Sequence, residues 1–264
     1  MKRLVCVVLC VSLGMVLCGN AVAASPAINS AVIKTRIWND NPTSIVTTTN
    51  SYASSITIKD EQVDAGGWGN LHDFRLSADG GTTPASFANG DAFRFASDVT
   101  ITGTGNAEAG LQVSPWWSPD GDGKFMIKSS GEIAVFGGRL PFYSFTVSDG
   151  LQYTLGDTIR MEVRYDPRDL SSVNPATIEY LVTMGATTYS SGALRFDQGN
   201  PAEGYGSWGM LNSAQVGGYF QPQVALPGFW EQATFENMSY SDVPEPATMM
   251  ILGLGSLFLA RRRK

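Results

Sequence analysis

Hydrophobic and polar residues alternate with a period of two through most of the middle of the chain. Ile159, Met161, Val163 and Tyr165 share one side of such a segment, with charged residues between them, and the pattern recurs from 178 to 184. Alternation of this kind predicts strands with one buried face. The pattern and its flanking turn residues predict further strands at 32–38, 44–49, 55–59, 73–77, 92–96, 110–113, 125–128, 132–136, 143–147, 189–196, 215–221 and 234–240.

Many short strands separated by Gly, Asn, Asp and Pro favour an all-β protein. Glycine accounts for 29 of the 264 residues, and no segment of the middle region carries a convincing helical stripe with caps. We predict a single antiparallel β-sandwich or jelly roll over residues 24–242. The stretch 79–90 is the weakest point of this region, and we interpret it as a long loop rather than a domain boundary.

The N terminus has the three parts of a secretory signal peptide. Lys2 and Arg3 precede an apolar run over 4–17, and a small-x-small site ends at Ala23. We predict cleavage by signal peptidase after residue 23. Since all three cysteines lie at positions 6, 10 and 18, the mature protein has no thiol, which excludes a cysteine nucleophile and Cys-ligated zinc.

The C terminus joins a Pro-Glu-Pro hinge to an apolar stretch over 248–260 and a terminal basic cluster. Thirteen helical residues reach about 20 Å, which is short of a ~30 Å hydrocarbon core and suits a transient anchor with its cations on the cytoplasmic side. Over 243–264 this tail resembles the PEP-CTERM sorting signal, and its characteristic residues are Pro244, Glu245, Pro246, Arg261, Arg262 and Arg263.

That resemblance implies export, processing near the hinge by a membrane-embedded exosortase, and delivery to the surface or extracellular matrix of a Gram-negative-type bacterium. The chain has a net charge of −6, and removal of both ends leaves 12 cations against 24 anions, or 23 if Glu245 is also lost. An acidic domain of this kind makes nucleic acid an unsuitable partner.

Several stretches of the middle region are similar to the concanavalin A-like lectin and glucanase jelly roll, which includes laminin-G-like domains. The similarity rests on the order of segments 91–95, 108–113, 153–159, 216–219 and 233–239. It implies a two-sheet jelly roll, and it leaves the function open because one fold serves many functions.

Two kinds of residue are candidates for binding. Asp120 and Asp122 in an Asp-Gly-Asp-Gly stretch could hold Ca²⁺, which is the one cofactor we consider, or could form a hairpin turn. Aromatic residues in turn-rich settings could stack on sugar rings or fold onto the sandwich edge. These candidates are Trp116, Trp117, Tyr143 and Trp208.

Catalytic signals are weak. The acidic residues lack the alternating Glu-x-Asp-x-x-Glu arrangement of laminarinase-type hydrolases, and no Gly-x-Ser-x-Gly elbow occurs. His72, the only histidine, lies in a Gly-rich segment, where we expect a solvated or turn-bonded side chain. We therefore expect a non-catalytic surface or matrix protein, with binding of an extracellular polysaccharide as the sharper hypothesis. The alternatives are a glycoside hydrolase on the same fold and a purely structural matrix protein.

Overall fold

The structure is a computed structural model that describes residues 25–114, 123–137, 140–196, 208–223 and 226–242. These residues form fifteen strands and one helical turn, α1, at Phe145–Ser148. The strands are β1 Ser30–Asn39, β2 Ile45–Ser51, β3 Ser55–Glu61, β4 Asn70–Ser77, β5 Phe93–Gly103, β6 Ala107–Ser114, β7 Lys124–Lys128, β8 Ile133–Phe136, β9 Tyr143–Ser144, β10 Thr158–Asp166, β11 Thr177–Met184, β12 Thr187–Ser190, β13 Leu194–Arg195, β14 Gln215–Pro222 and β15 Trp230–Asp242.

Two antiparallel sheets face each other. The seven-stranded sheet has the order β1-β4-β14-β6-β7-β8-β9, and the eight-stranded sheet has the order β12-β11-β10-β5-β15-β3-β2 with β13 paired to β11. Strands that are distant in sequence are neighbours in both sheets, as when β14 pairs with both β4 and β6. The predicted all-β jelly-roll sandwich is therefore confirmed.

The core lies between the sheets and is rich in aromatic rings. Phe74 of the seven-stranded sheet meets Phe235 of the other sheet edge to face, with ring centroids 4.9 Å apart. The alternating residues of β10 are all buried in this cluster. Such interdigitation of the two inner faces is the main source of stability in a sandwich without disulfides.

Several predicted strands have different limits in the structure. Only Tyr143 and Ser144 of the predicted strand 143–147 are extended, because the Ser144 hydroxyl accepts a hydrogen bond from the Val147 amide and starts α1. The predicted strand 92–96 continues to Gly103, and 189–196 divides into β12 and β13. Among the described residues, no helix has the length and apolar character needed to cross a membrane.

Candidate functional site

The outer side of the seven-stranded sheet carries buried polar residues. In β4 and β6 every residue is buried, although only alternate ones, such as Phe74 and Leu111, point into the core. The residues between them must point to the other side of the sheet. We call this side the polar face and define it by Asp73, Arg75, Glu108, Lys124, Tyr219 and Gln221.

Lys124 links four strands of the polar face. Its Nζ lies 2.9 Å from Glu108 Oε1 on β6 and donates to Gln221 Oε1 on β14 at 2.7 Å. The same ammonium lies 4.6 Å from the ring centroid of Tyr219 and 5.4 Å from that of Trp38 on β1. A charged amine with these contacts is fixed in position, since each contact restricts the flexible side chain.

Glu108 is held from both sides. Gln223 Nε2 donates to its Oε2 at 2.7 Å, and the Tyr219 hydroxyl donates to its Oε1 at 3.4 Å. Burial, and next the negative charge of Glu108, raise the pKa of Tyr219 well above its usual value. Tyr219 therefore remains a neutral hydrogen-bond donor at physiological pH.

A second ion pair lies further along the same face. A terminal guanidinium nitrogen of Arg75 lies 2.7 Å from Asp73 Oδ2, and both side chains are fully buried. In the register of β4 and β14, Arg75 is paired with Gly217. A Cβ added to Gly217 would collide with the Phe74 carbonyl oxygen. A glycine is thus required where β14 and β4 approach closely.

The polar face has aromatic side chains exposed at both ends. Trp38 pairs with Leu71 on the outer side of the sheet and is 45% exposed, and Phe136 on β8 is 39% exposed. Lys128 Nζ lies 5.9 Å from the centroid of the Phe136 ring. Each end of the face therefore combines an accessible ring with a lysine ammonium.

The expectation for His72 is wrong. His72 lies inside β4, fully buried between the sheets, with Nε2 2.9 Å from Asp60 Oδ2. Its Nδ1 accepts a hydrogen bond from the Arg36 amide at 3.1 Å. The ring proton is therefore on Nε2, which donates to Asp60. The expectation fails because the glycines before His72 form the loop entering β4, while Asp60 provides a buried acceptor.

Two predicted ligand-binding aromatics are described by the structure. The Tyr143 hydroxyl donates to Asp149 Oδ2 at 3.0 Å, and its ring packs against Phe145. Trp208 is half-buried, and its carbonyl accepts the Ala176 amide beside β11. These contacts attach the two residues to different sheets, and their role in binding stays a prediction.

The remaining predicted site residues lie outside the described residues. They are Trp116, Trp117, Asp120, Asp122, Pro244, Glu245, Pro246, Arg261, Arg262 and Arg263. Across the described ranges, no group of three or more His, Cys, Asp or Glu residues is arranged to hold a metal ion.

Sequence reasoning missed the polar face. Its residues come from segments more than 100 positions apart, such as Glu108 and Tyr219, so no local motif joins them. The available signal was the presence of Glu108 and Lys124 in otherwise apolar strands, which alternation assigns to the outer side.

Several solved structures are similar to this chain in fold. The alginate lyase from Corynebacterium sp. is 9% identical with a TM-score of 0.47, over 81% of this chain and 94% of that one. The Lotus tetragonolobus seed lectin is 9% identical with a TM-score of 0.41, over 84% and 97%. The cellulose induced protein Cip1 is 14% identical with a TM-score of 0.41, over 80% and 91%. No curated protein gives a significant sequence match.

The C-terminal residues match a family model. Residues 242–264 match the model described as the PEP-CTERM protein-sorting motif, which includes the predicted hinge and basic cluster. The resemblance stated from the sequence is confirmed for this segment. The chain therefore carries a PEP-CTERM protein-sorting motif, which marks it as an exported substrate for exosortase processing.

Proposed function

We propose that this chain is a non-catalytic protein of the bacterial surface or extracellular matrix that binds polysaccharide through its polar face. The observation that carries the proposal is the exposed Trp38 ring beside the fixed Lys124 ammonium. A flat, accessible ring stacks on the apolar face of a sugar, and the buried Lys124 beside Trp38 holds that ring in place for the ligand. Signal peptidase and exosortase would deliver the domain to the polysaccharide outside the cell.

The absence of turnover is part of the proposal. The two carboxylates of the polar face are each paired with a cation, Asp73 with Arg75 and Glu108 with Lys124. A glycosidase needs one carboxyl group as a proton donor and another as a nucleophile or base. Paired carboxylates favour a binding role, as does the placement of His72 between the sheets, away from this face.

Binding and hydrolysis are separated by one pair of assays. The purified exported protein is applied to a glycan array that includes bacterial exopolysaccharides, and reducing-end release is measured on the bound glycans. The proposal predicts binding without release. Release of reducing ends would establish an enzyme, and failure to bind any glycan would favour a purely structural protein.

A matched pair of lysines tests the location. Lys59 lies 5.1 Å from the Trp230 ring centroid and 2.9 Å from Glu61, so it also joins a ring and a carboxylate, but at a more exposed position on the outer side of the other sheet. A Lys124→Met variant whose circular dichroism matches the unmodified protein should bind glycan about 5- to 100-fold more weakly, because the Trp38 ring loses the ammonium that holds it. Lys59→Met should leave binding unchanged. Equal effects of the two variants would contradict the assignment to the polar face.

A further inference from the structure

Glu231 is a buried carboxylate without a hydrogen-bond partner. Its side chain is fully buried on the inner side of β15, and neither carboxylate oxygen has a partner within the described part of the chain. Its Oε1 lies against Gly105, where an added Cβ would collide with it. A buried polar group left unpaired is costly and calls for an explanation such as a bound ion.

A second carboxylate lies directly across from Glu231. The strand register pairs Glu231 with Asp60 of β3, and both side chains point between the sheets. Burial by itself raises the pKa of Asp60, but hydrogen bonds from His72, Asn70 and Ser44 outweigh it and leave that pKa below its usual value. Burial, and then the charge of Asp60, raise the pKa of Glu231 to about 7. Two like charges in this position need a compensating positive charge once both are ionised.

Gln62 adds an unpaired oxygen next to this pair. Its Nε2 donates to Asp60 Oδ1 at 3.2 Å, while its Oε1, also buried, has no partner among the described residues. Gln62 is the first residue after β3, and its hydrogen bond to Asp60 holds its side-chain amide beside that carboxylate. His72 approaches from β4 with Nε2 at Asp60 and with Nδ1 accepting the Arg36 amide, so both of its ring nitrogens are already engaged.

We infer that this end of the sandwich holds a hard cation, with Glu231 as its principal ligand and Gln62 Oε1 and Asp60 as neighbouring oxygen donors. Carboxylate and amide oxygens are the ligands that Ca²⁺ prefers, and water completes its shell in many proteins. This set contains only two acidic residues, which is consistent with the lack of a larger acidic or histidine cluster in the described ranges. The proposed cation site is independent of the glycan-binding face.

Calcium chloride is the probe that tests this site. The purified exported protein is freed of metal with EDTA, and CaCl₂ or MgCl₂ is added back in titration calorimetry and thermal unfolding. We expect one Ca²⁺ per chain and a rise in Tm of about 5–10 °C at one hundred times Kd. No binding heat and no Tm change with either salt would overturn the inference.

Single substitutions test whether the cation binds at Glu231. Glu231→Gln keeps the shape of the side chain, removes its charge and should abolish the Ca²⁺ response, whereas Glu236→Gln on the exposed side of β15 should retain it. Gln62→Leu, which tests the amide oxygen in case Glu231→Gln fails to fold, should weaken Ca²⁺ binding at least tenfold. A response that persists in Glu231→Gln, or that disappears only in Asp120→Asn/Asp122→Asn, would overturn the inference.

Discussion

Removing the Asp60 carboxylate should be among the most destabilising polar changes in this protein. Asp60 Oδ2 accepts hydrogen bonds from His72 Nε2 at 2.9 Å and from Asn70 Nδ2 at 2.8 Å, and all three side chains are buried. Asp60→Ala leaves two buried donors, His72 Nε2 and Gln62 Nε2, without their acceptor. Asn70 Nδ2 keeps the Asn41 carbonyl and the Ser44 hydroxyl as acceptors. An unsatisfied buried donor costs about 1–3 kcal/mol, so the two together should lower the free energy of unfolding by about 3–5 kcal/mol.

Two companion variants separate this cause from loss of the charge or of a surface residue. Asp60→Asn keeps one acceptor oxygen, and Gln62 can rotate its unpaired Oε1 toward the new amide, so its cost should be less than half that of Asp60→Ala. Asp64→Ala, in the exposed loop after β3, should change the free energy of unfolding by no more than about 0.5 kcal/mol.

Urea unfolding in EDTA, followed by tryptophan fluorescence, measures these free energies without a contribution from bound cations. A double-mutant cycle with His72→Phe should give a coupling energy above about 1 kcal/mol between positions 60 and 72. The reasoning is refuted if Asp60→Ala costs less than about 1 kcal/mol, or if the two substitutions are additive.

Four other predictions concern the fold and the sorting signal. Phe74→Ala should lower the free energy of unfolding by about 3–5 kcal/mol because it leaves a cavity between the sheets, whereas Phe142→Ala, 70% exposed, should cost little; similar costs would contradict the packing. Far-UV circular dichroism of the exported protein should show a β-rich spectrum, and substantial helix would contradict the sandwich. Mass spectrometry of protein extracted from the native cell surface should find a C terminus before Arg261, and a chain ending at Lys264 would make the tail a lasting anchor. Substitution of Ser at Arg261, Arg262 and Arg263 should weaken retention of the precursor and release uncut protein.

The sequence predicted the sandwich because alternation reports burial directly. Ile159, Met161 and Val163 are buried on one side of β10 as the period of two requires. The first and last residues of a strand were harder to predict where the strand buries polar residues. The start of β4 was missed because Asn70 and His72 are polar in sequence, and only the structure brings them to Asp60.

The candidate site was beyond prediction for a related reason. A polar residue on the outer side of a strand normally faces water, and nothing local distinguishes Glu108 from such a residue. Its partners Lys124, Tyr219 and Gln223 come from two other parts of the chain. The predicted aromatics were chosen from turn-rich segments, and the exposed Trp38 near the end of β1 was therefore overlooked.

A pair of tryptophan variants shows whether the outer side of the seven-stranded sheet binds polysaccharide. Trp38 is 45% exposed beside Lys124, and Trp230 lies beside Lys59 on the outer side of the eight-stranded sheet. Affinity electrophoresis in gels containing the glycan identified by the array should show that Trp38→Ala weakens binding by about 1–3 kcal/mol, or 5- to 150-fold. Trp230→Ala, on the other sheet, should bind like the unmodified protein. Unchanged binding by a correctly folded Trp38→Ala variant would contradict the assignment of the polar face as the binding site.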